Sequence, residues 1–196
     1  MKSPGQSFTH RAILAVLCLM SAGMNGDAMD AASPEKLPSR RASGPQPVRA
    51  ELIAEHTWIR PGGTTQVGVK FDIEPGWHIY AEEPGDAGLP TSIHWESPMK
   101  EATVVFGPLH WPAHEQFVDP GDIKTFGYTG SIVLYSTMTL APSLARGASV
   151  PVHADVRWLA CHEVCVPGSA RLNLSLPVSK QLPAFSAHAE LFDQAN

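Results

Sequence analysis

The stretch SVPVHADVRWLACHEVCVPGSARLNLSLP, residues 149–177, decides the fold class. Apolar side chains recur at every second position on both sides of its two cysteines. They are Val150, Val152, Ala154, Val156 and Trp158 before the cysteines, and Leu172, Leu174 and Leu176 after them. A period of two is typical of a strand with one buried face. The stretch therefore predicts two strands, Val150 to Ala160 and Arg171 to Val178, with Cys161 and Cys165 at or near their connection.

The same alternation occurs upstream. In TQVGVKFDI, residues 65–73, the side chains of Val67, Val69, Phe71 and Ile73 face one way and the residues between them face the other. Further strands are predicted at 48–59, 77–80, 91–97, 101–107 and 128–140, separated by Pro-Gly and other turn signals. A helix is predicted only in PAFSAHAELFDQ, residues 183–194.

Seven or eight short strands at this spacing predict an all-β protein, an immunoglobulin-like antiparallel β-sandwich. A small barrel is the alternative that the pattern leaves open. The segment PLHWPAHEQFVDPGDIKTF, residues 108–126, has neither a helical nor a strand period. We therefore expect a long connection there, and loops of that length are often functional.

The composition fits this fold class and excludes some functions. Hydrophobic residues make up 43% of the 196 residues and charged residues 17%, with 18 prolines and 16 glycines. This balance favours a turn-rich β protein with a substantial core. The formal net charge of −5 does not suggest nucleic-acid binding.

Residues 1–28 have the pattern of an export signal peptide. Lys2 and Arg11 supply positive charge, and residues 12–23 form an apolar core that is short for a membrane span. Cleavage is expected after Ala28, with Gly23 as the alternative, and an uncleaved membrane anchor is the competing hypothesis. The mature chain is expected to be soluble in an oxidising compartment.

The organisation of the remaining chain follows from composition. Residues 29–47 are rich in Pro, Ser and Ala, and such a segment buries too little surface to offset its ordering entropy. It predicts a disordered linker. Residues 48–180 are assigned to the sandwich domain, and residues 181–196 to a C-terminal tail.

The spacing of the two cysteines constrains their geometry. A disulfide needs Cα atoms about 4.4 to 6.8 Å apart. Residues i and i+4 on a straight strand lie about 13 Å apart. Cys161 and Cys165 can bond only if the chain turns between them, which places the pair at the rim of the sheet, where a partner can reach it.

Three functions remain open for this pair from spacing alone. A structural disulfide over so few residues contributes only about 2 kcal/mol. In a redox pair, a short loop allows the disulfide to form and break without unfolding of the domain. A metal site would use Cys161, His162 and Cys165 with a distant histidine such as His188, a donor set that suits Cu(I) or Zn. His162 favours a thiolate when protonated and Glu163 opposes it.

Other polar residues give weaker signals. His78 and His94 lie in strand patterns, and His110 and His114 flank Trp111 in the predicted long connection, where a copper site is weakly indicated. The acidic residues Glu82, Glu83 and Asp86 are typical of a solvated turn. No Ser-His-Asp order, phosphate loop or dinucleotide fingerprint occurs, and no cofactor or resident metal is expected.

Three segments together resemble a known family. They are PGWHIYAEEPGDAGLPTSIHW (75–95), FGYTGSIVLY (126–135) and VRWLACHEVCVPGSARLNLSLP (156–177). They resemble the N-terminal periplasmic domain of the thiol:disulfide interchange protein DsbD, most closely its variant in the suppressor-of-copper-sensitivity B type proteins. The resemblance covers roughly Val48 to Val178 and implies an immunoglobulin-like sandwich, in agreement with the strand pattern.

The resemblance also implies a function and a location. Such domains carry electrons in the periplasm from a membrane protein to thioredoxin-like partners, including disulfide isomerases and proteins of cytochrome c maturation. Cys161 and Cys165 would then be the redox pair of a protein-disulfide reductase component, with Cys165 as the attacking thiol and Cys161 as the resolving one. A cap loop with an aromatic side chain shields the pair in this family, and the matching region is around Phe126 and Tyr128. Packing of these two rings in the core is the alternative.

Two departures from the family bear on partners. The best-known member spaces its cysteines by five residues, whereas three separate Cys161 from Cys165. No membrane segment or thioredoxin-like domain follows the sandwich in this sequence, so electrons are expected from a separate membrane electron-transfer protein, unless the sequence is part of a longer one. A non-catalytic adaptor with a static disulfide and a copper-handling protein remain the alternatives.

Overall fold

A computed structural model describes residues 46–100, 103–119, 121–144 and 147–194. The signal peptide predicted at 1–28, and all but the last two residues of the linker predicted at 29–47, lie outside these residues. The described strands are β1 Val48–Ala54, β2 Thr64–Ile73, β3 His78–Gly85, β4 Ser92–Glu96, β5 Val104–His110, β6 Glu115–Asp119, β7 Ile123–Tyr128, β8 Ser131–Leu140, β9 Ser149–Cys161 and β10 Cys165–Pro177. The helix α1 is Ala189–Gln194.

The strands form two antiparallel sheets packed as a sandwich. One sheet has four strands in the order β1-β2-β8-β5. The other has six: β10-β9-β3-β7-β6 in order, with β4 also pairing β9. The prediction of an all-β, immunoglobulin-like antiparallel sandwich is confirmed, and the alternation that supported it marks the buried faces.

The core lies between the sheets at the predicted positions. Val67, Val69 and Phe71 of β2 are each 0% exposed, and Val150, Val152 and Ala154 of β9 are likewise 0% exposed. Since alternate side chains of a strand point to opposite faces, the intervening residues of β9 form the outer surface of the sheet. Cys161, Leu159 and Arg157 belong to that outer set.

The prediction of a long connection at 108–126 is wrong. The end of β5, all of β6 and most of β7 lie in this segment, and β6 pairs with β7 from Glu115↔Gly127 to Asp119↔Ile123. Gly121, with φ 94°, and Asp122, with φ 59°, lie between the two strands in backbone conformations that suit a tight turn. This β6–β7 hairpin extends the larger sheet on the side away from β10.

The residues after Val178 fold back onto the sandwich. Ser186 donates its N–H to the carbonyl of Glu55 at 2.8 Å, and its hydroxyl to the carbonyl of Ala54 at 2.6 Å. Phe192 of α1 is 1% exposed and packs with Ile53, Val133 and Tyr135. The segment 181–194, expected from the sequence to be a tail, therefore packs on the outer face of the four-stranded sheet.

Candidate functional site

The two cysteines lie at the tip of the β9–β10 hairpin. Cys161 ends β9, Cys165 begins β10, and the two are directly opposed in the strand ladder. Their Cα atoms are 4.1 Å apart and a disulfide joins them. The N–H of His162 donates to the carbonyl of Val164 at 3.2 Å inside the connection. The expectation that the chain turns between the cysteines is confirmed.

The two cysteines differ in exposure because they lie on different kinds of strand. Cys161 is opposed to Cys165 on one side and to His78 of β3 on the other, so its strand is internal to the sheet. It is 2% exposed. Cys165 lies on β10, at the edge of the sheet, and is exposed. An attacking thiol can therefore reach the sulfur of Cys165 more readily than that of Cys161.

Tyr80 contacts the buried sulfur. Its hydroxyl donates a hydrogen bond to Cys161 Sγ at 3.2 Å, from a side chain on the same outer face of the sheet. Tyr80 is 4% exposed. The residue is one strand and 81 positions away in sequence, so spacing around the cysteines gave no sign of this contact.

The run PGDAGLP, residues 84–90, holds Tyr80 in place. A Cβ atom at Gly88, where φ is 98°, would lie 2.4 Å from Tyr80 Cε1. A Cβ atom at Gly85, where φ is 90°, would lie 2.4 Å from the carbonyl oxygen of Lys124. Both positions require glycine for conformation and for space. Asp86 accepts the N–H of Lys124 at 2.9 Å through Oδ2, as expected of a turn residue. The prediction that Glu82 and Glu83 lie in the same turn is wrong, because both are exposed residues of β3.

An aromatic row lies beside Cys161. The ring of His78 stacks on Phe117 of β6 with centroids 4.5 Å apart, and meets the ring of Tyr80 edge-on at 5.1 Å. His78 is itself the ladder neighbour of Cys161 on β3. The sequence pattern predicts a connection at 108–126 and so does not predict a strand at Phe117. The turn DPGD at 119–122, with Phe117 and Val118 before it and Ile123 after it, is the signal of a hairpin that could have found it.

Phe126 and Tyr128, the aromatic residues expected in a cap loop, pack in the core. Tyr128 is 2% exposed within the core, and its hydroxyl donates to the carbonyl of Pro112 at 3.1 Å. Burial raises the pKa of Tyr128 to about 12. Phe126 packs against the same core cluster and meets the ring of His114 at 5.0 Å. The core-packing alternative describes both residues, and Phe117 is the aromatic residue in the row beside Cys161.

The three residues between the cysteines, His162, Glu163 and Val164, differ in chemical character. His162 lies beside Trp77, with ring centroids 5.8 Å apart, and a Cβ atom at Gly76 would lie 3.0 Å from its Cδ2. Glu163 and Val164 are exposed, and Val164 is 63% exposed. This loop therefore presents an acidic and an apolar side chain to solvent next to Cys165.

The other histidines are dispersed. His110 stacks on Tyr135 at 4.8 Å, the ring of His114 lies against Phe126, and His94 lies on β4. In the described part of the chain, no group of three or more His, Cys, Asp or Glu side chains is placed to hold a metal ion.

The described chain is an antiparallel sandwich with a disulfide at a hairpin tip, one of whose cysteines is buried and the other exposed. The family model described as "Thiol:disulfide interchange protein DsbD, N-terminal" matches residues 45–177. The chain belongs to this family. No match was found among curated proteins. No helix in the described ranges is both long and apolar enough to cross a bilayer.

The solved structures that are similar to this chain include two domains of related proteins. The N-terminal periplasmic domain of ScsB from Proteus mirabilis is 22% identical, with a TM-score of 0.48, over 75% of this chain and 50% of that one. The N-terminal domain of DsbD from Neisseria meningitidis in the reduced form is 17% identical, with a TM-score of 0.37, over 63% of this chain and 84% of that one. The chain thus spans half of the ScsB domain structure.

Proposed function

We propose that this protein exchanges electrons in the periplasm by dithiol–disulfide exchange through Cys161 and Cys165. Its partners would be thioredoxin-like proteins on one side and a separate membrane electron-transfer protein on the other. The observation that carries the proposal is the unequal exposure of the two bonded sulfurs, with Cys165 exposed and Cys161 2% exposed. Membership of the DsbD N-terminal domain family supports the same chemistry.

The unequal exposure of the two sulfurs supports a particular order of the steps. In the reduced protein the thiolate of Cys165 attacks one sulfur of the partner's disulfide, and the partner's other sulfur leaves as a thiolate. The thiolate of Cys161 then attacks Cys165 Sγ, forms the intramolecular disulfide and releases the partner as a dithiol. Two electrons and two protons pass to the partner. The membrane protein restores the dithiol by the reverse sequence.

Tyr80 supports the second step. A hydrogen bond donated to a thiolate stabilises its charged form, and burial opposes that form. The Tyr80 hydroxyl, 3.2 Å from Cys161 Sγ, offsets part of the cost of ionising a buried thiol. Cys161 is then available as a nucleophile within the domain while it remains inaccessible to other disulfides.

A purely structural disulfide is the competing function. The β9–β10 ladder runs through thirteen opposed pairs, from Cys165↔Cys161 to Pro177↔Ser149. The hairpin is therefore held by backbone pairing along its whole length, and a bond across its tip adds only about 2 kcal/mol by the loop formula. A structural disulfide therefore adds little stability at this position. A disulfide-exchange site, in contrast, requires an exposed sulfur on a rigid support, and the hairpin tip provides one.

The reduction potential of the Cys161–Cys165 pair tests the proposal. The protein is equilibrated with glutathione or dithiothreitol buffers, and the free thiols are trapped and counted. We expect a potential between roughly −180 and −270 mV, the range of exchange proteins. A potential below about −300 mV would identify a structural bond and contradict the proposal.

Trapping with variants that keep one cysteine of the pair, in a Cys18→Ala background, tests the order of the steps. Cys161→Ala leaves the exposed thiol, and Cys165→Ala leaves the buried one. Each is mixed with a purified thioredoxin-like protein in its disulfide form. We expect a stable mixed disulfide with Cys161→Ala and little with Cys165→Ala. Equal trapping by both variants would remove the assigned order.

A further inference from the structure

We propose, on the basis of the exchange function above, that the outer face of the β9–β10 ribbon is a substrate groove for an extended protein segment. The segment carries an apolar residue next to its cysteine and an acidic residue about four positions from it. The groove begins at Pro167, two residues from Cys165, and runs past Arg157 to Asp155 and Arg171.

The part of the groove nearest the disulfide is apolar. Two residues along from the Cys161–Cys165 pair, Leu159 and Pro167 are opposed on the same face of the ribbon. A depression beside them is lined by Leu89, Pro90, Trp158, Pro167 and Gly168, among others. Leu89 is 62% exposed, on the loop that Gly88 holds against Tyr80. A large apolar side chain fixed at the rim of an apolar depression is suited to contact a partner's apolar residue.

The far part of the groove is polar. The next opposed pair on the same face is Arg157 with Ser169, and both line the apolar depression as well as an adjacent one. The adjacent depression is also lined by Asp155 and Arg171. The two depressions therefore form one continuous groove along the ribbon, with Arg157 where they join.

The charge of the groove at this junction is positive. Both carboxylate oxygens of Asp155 already accept hydrogen bonds from Arg171, from Nε at 2.7 Å and from its terminal nitrogen at 2.9 Å. The charges of Asp155 and Arg171 neutralise each other, and Glu96 also interacts with Arg171. Arg157 is the charged residue among the three that line both depressions, Ser92, Arg157 and Ser169. An acidic side chain of the partner is the complementary group.

The distance along the strand sets the spacing in the partner. Arg157 is four residues from Cys161, which is about 13 Å along a strand. An extended segment whose cysteine is bonded to Cys165 spans that distance in about four residues. An acid at the fourth position from the cysteine would reach Arg157, and an apolar residue nearer the cysteine would meet Leu89.

Activated peptides test this preference without a known partner. Each peptide carries one cysteine joined to 5-thio-2-nitrobenzoate, leucine residues beside it, and either Glu or Lys at the fourth position on both sides. The thiolate of Cys165 attacks the peptide sulfur and releases the coloured thionitrobenzoate. The thiolate of Cys161 then attacks Cys165 Sγ, forms the protein disulfide and frees the peptide thiol. The rate of colour release at low salt measures the first step.

We expect the wild-type protein to react about fivefold faster with the Glu peptide than with the Lys peptide, and the difference to shrink at high salt. Arg157→Ala should abolish the preference and Arg157→Glu should invert it. Leu89→Ala should slow both peptides about fivefold. The control variants Arg60→Ala and Leu182→Ala, at exposed positions outside the groove, should behave as wild type.

A neutral small disulfide separates failure of the groove from failure of the exchange function. The mixed disulfide of mercaptoethanol with 2-thiopyridine should oxidise wild type and all groove variants to the Cys161–Cys165 disulfide at equal rates, with release of pyridine-2-thione and then of mercaptoethanol. The groove proposal is contradicted if this reagent oxidises all variants equally while the wild-type protein reacts at the same rate with the Glu and Lys peptides. It is also contradicted if Arg157→Glu keeps the wild-type preference for the Glu peptide. If the reagent fails to produce the protein disulfide, the exchange function itself is overturned.

Discussion

The ring of Tyr80 occupies the space that a side chain at residue 88 would need. A Cβ atom at Gly88 would lie 2.4 Å from Tyr80 Cε1 and 2.5 Å from its Cζ, in a backbone conformation with φ of 98°. The loop carrying Leu89 therefore rests directly on the residue whose hydroxyl contacts Cys161 Sγ. A change in the packing of this loop should therefore also move the Tyr80 hydroxyl, which donates the hydrogen bond to Cys161 Sγ.

Gly88→Ala should accordingly lower the free energy of unfolding by more than backbone strain alone. A left-handed backbone costs a non-glycine residue about 1–2 kcal/mol, and displacement of the Tyr80 ring adds to that. Gly121→Ala is the matched control, since φ is 94° there and nothing lies within 4 Å of its Cβ position. Urea denaturation of the oxidised proteins compares them. Equal losses in the two variants would contradict the close packing of Gly88 on Tyr80.

Tyr80→Phe should slow the resolving step with little effect on the first attack. Loss of a hydrogen bond to a charged group costs about 1.5–3 kcal/mol, which is a tenfold or greater loss of the Cys161 thiolate at a fixed pH. Rapid mixing with an activated disulfide separates the two steps, because the first releases the dye and the second releases the captured thiol. The second rate should recover as the pH is raised. A pH-independent defect would mean that Tyr80 only packs against the sulfur.

Phe117→Ala should make Cys161 more reactive, since Phe117 stacks on His78, the ladder neighbour of that cysteine. The measurement uses a Cys18→Ala, Cys165→Ala background, where modification by a bulky maleimide reports on the buried thiol of Cys161 alone. Phe126→Ala in the same background is the control, because Phe126 packs on the core. We expect a several-fold higher rate for Phe117→Ala only. A higher rate in the Phe126 variant would return the cap to the region around Phe126 and Tyr128.

The long strands could be predicted because each has one face buried in the core. In β9 every second residue from Val150 to Trp158 is buried, so a period of two was visible over nine residues. The β6 and β7 strands have only five and six residues and lie at the sheet's end, where alternation is weak. The predicted strand begins at Arg171, whereas β10 begins at Cys165. Pro167 lies on an edge strand, which tolerates it, and Gly168 leaves room for the Trp158 indole.

The two cysteines of the site were found from the sequence, but their unequal exposure was not. That difference depends on which strand is internal and which lies at the edge, and strand order follows from contacts between distant segments. The same holds for Tyr80 and for the groove at Leu89 and Arg157. These residues come together because β3, β4 and β10 all border on β9.

The pair Lys70 and Asp72 should make stability depend on pH in the acid range. The Lys70 ammonium, 2.8 Å from Asp72, and the Ser131 hydroxyl hold the pKa of Asp72 below its usual 3.8. A carboxyl with a lowered pKa in the folded state stabilises the protein above the unfolded pKa, and the contribution disappears as pH falls through the folded value. Asp72→Asn should therefore cost about 0.5 kcal/mol at pH 7 and nothing at pH well below 3.8. Urea denaturation at both pH values checks this, and a cost that persists in acid would assign the effect to packing.

Phe192→Ala should destabilise the sandwich although residue 192 follows the predicted end of the domain at residue 180. Its ring is 1% exposed and would lie 3.0 Å from a Cβ at Gly68, so the glycine in β2 leaves the space that the ring fills. Truncating a buried phenylalanine costs about 3–5 kcal/mol in a closed core, and less where the site can collapse. Leu182→Ala, at a side chain 79% exposed, is the control from the same segment. The free energy of unfolding should fall by about 2 kcal/mol or more in the first variant only. Unchanged stability would show that α1 is dispensable, and the domain would then end near Lys180, as the sequence predicts.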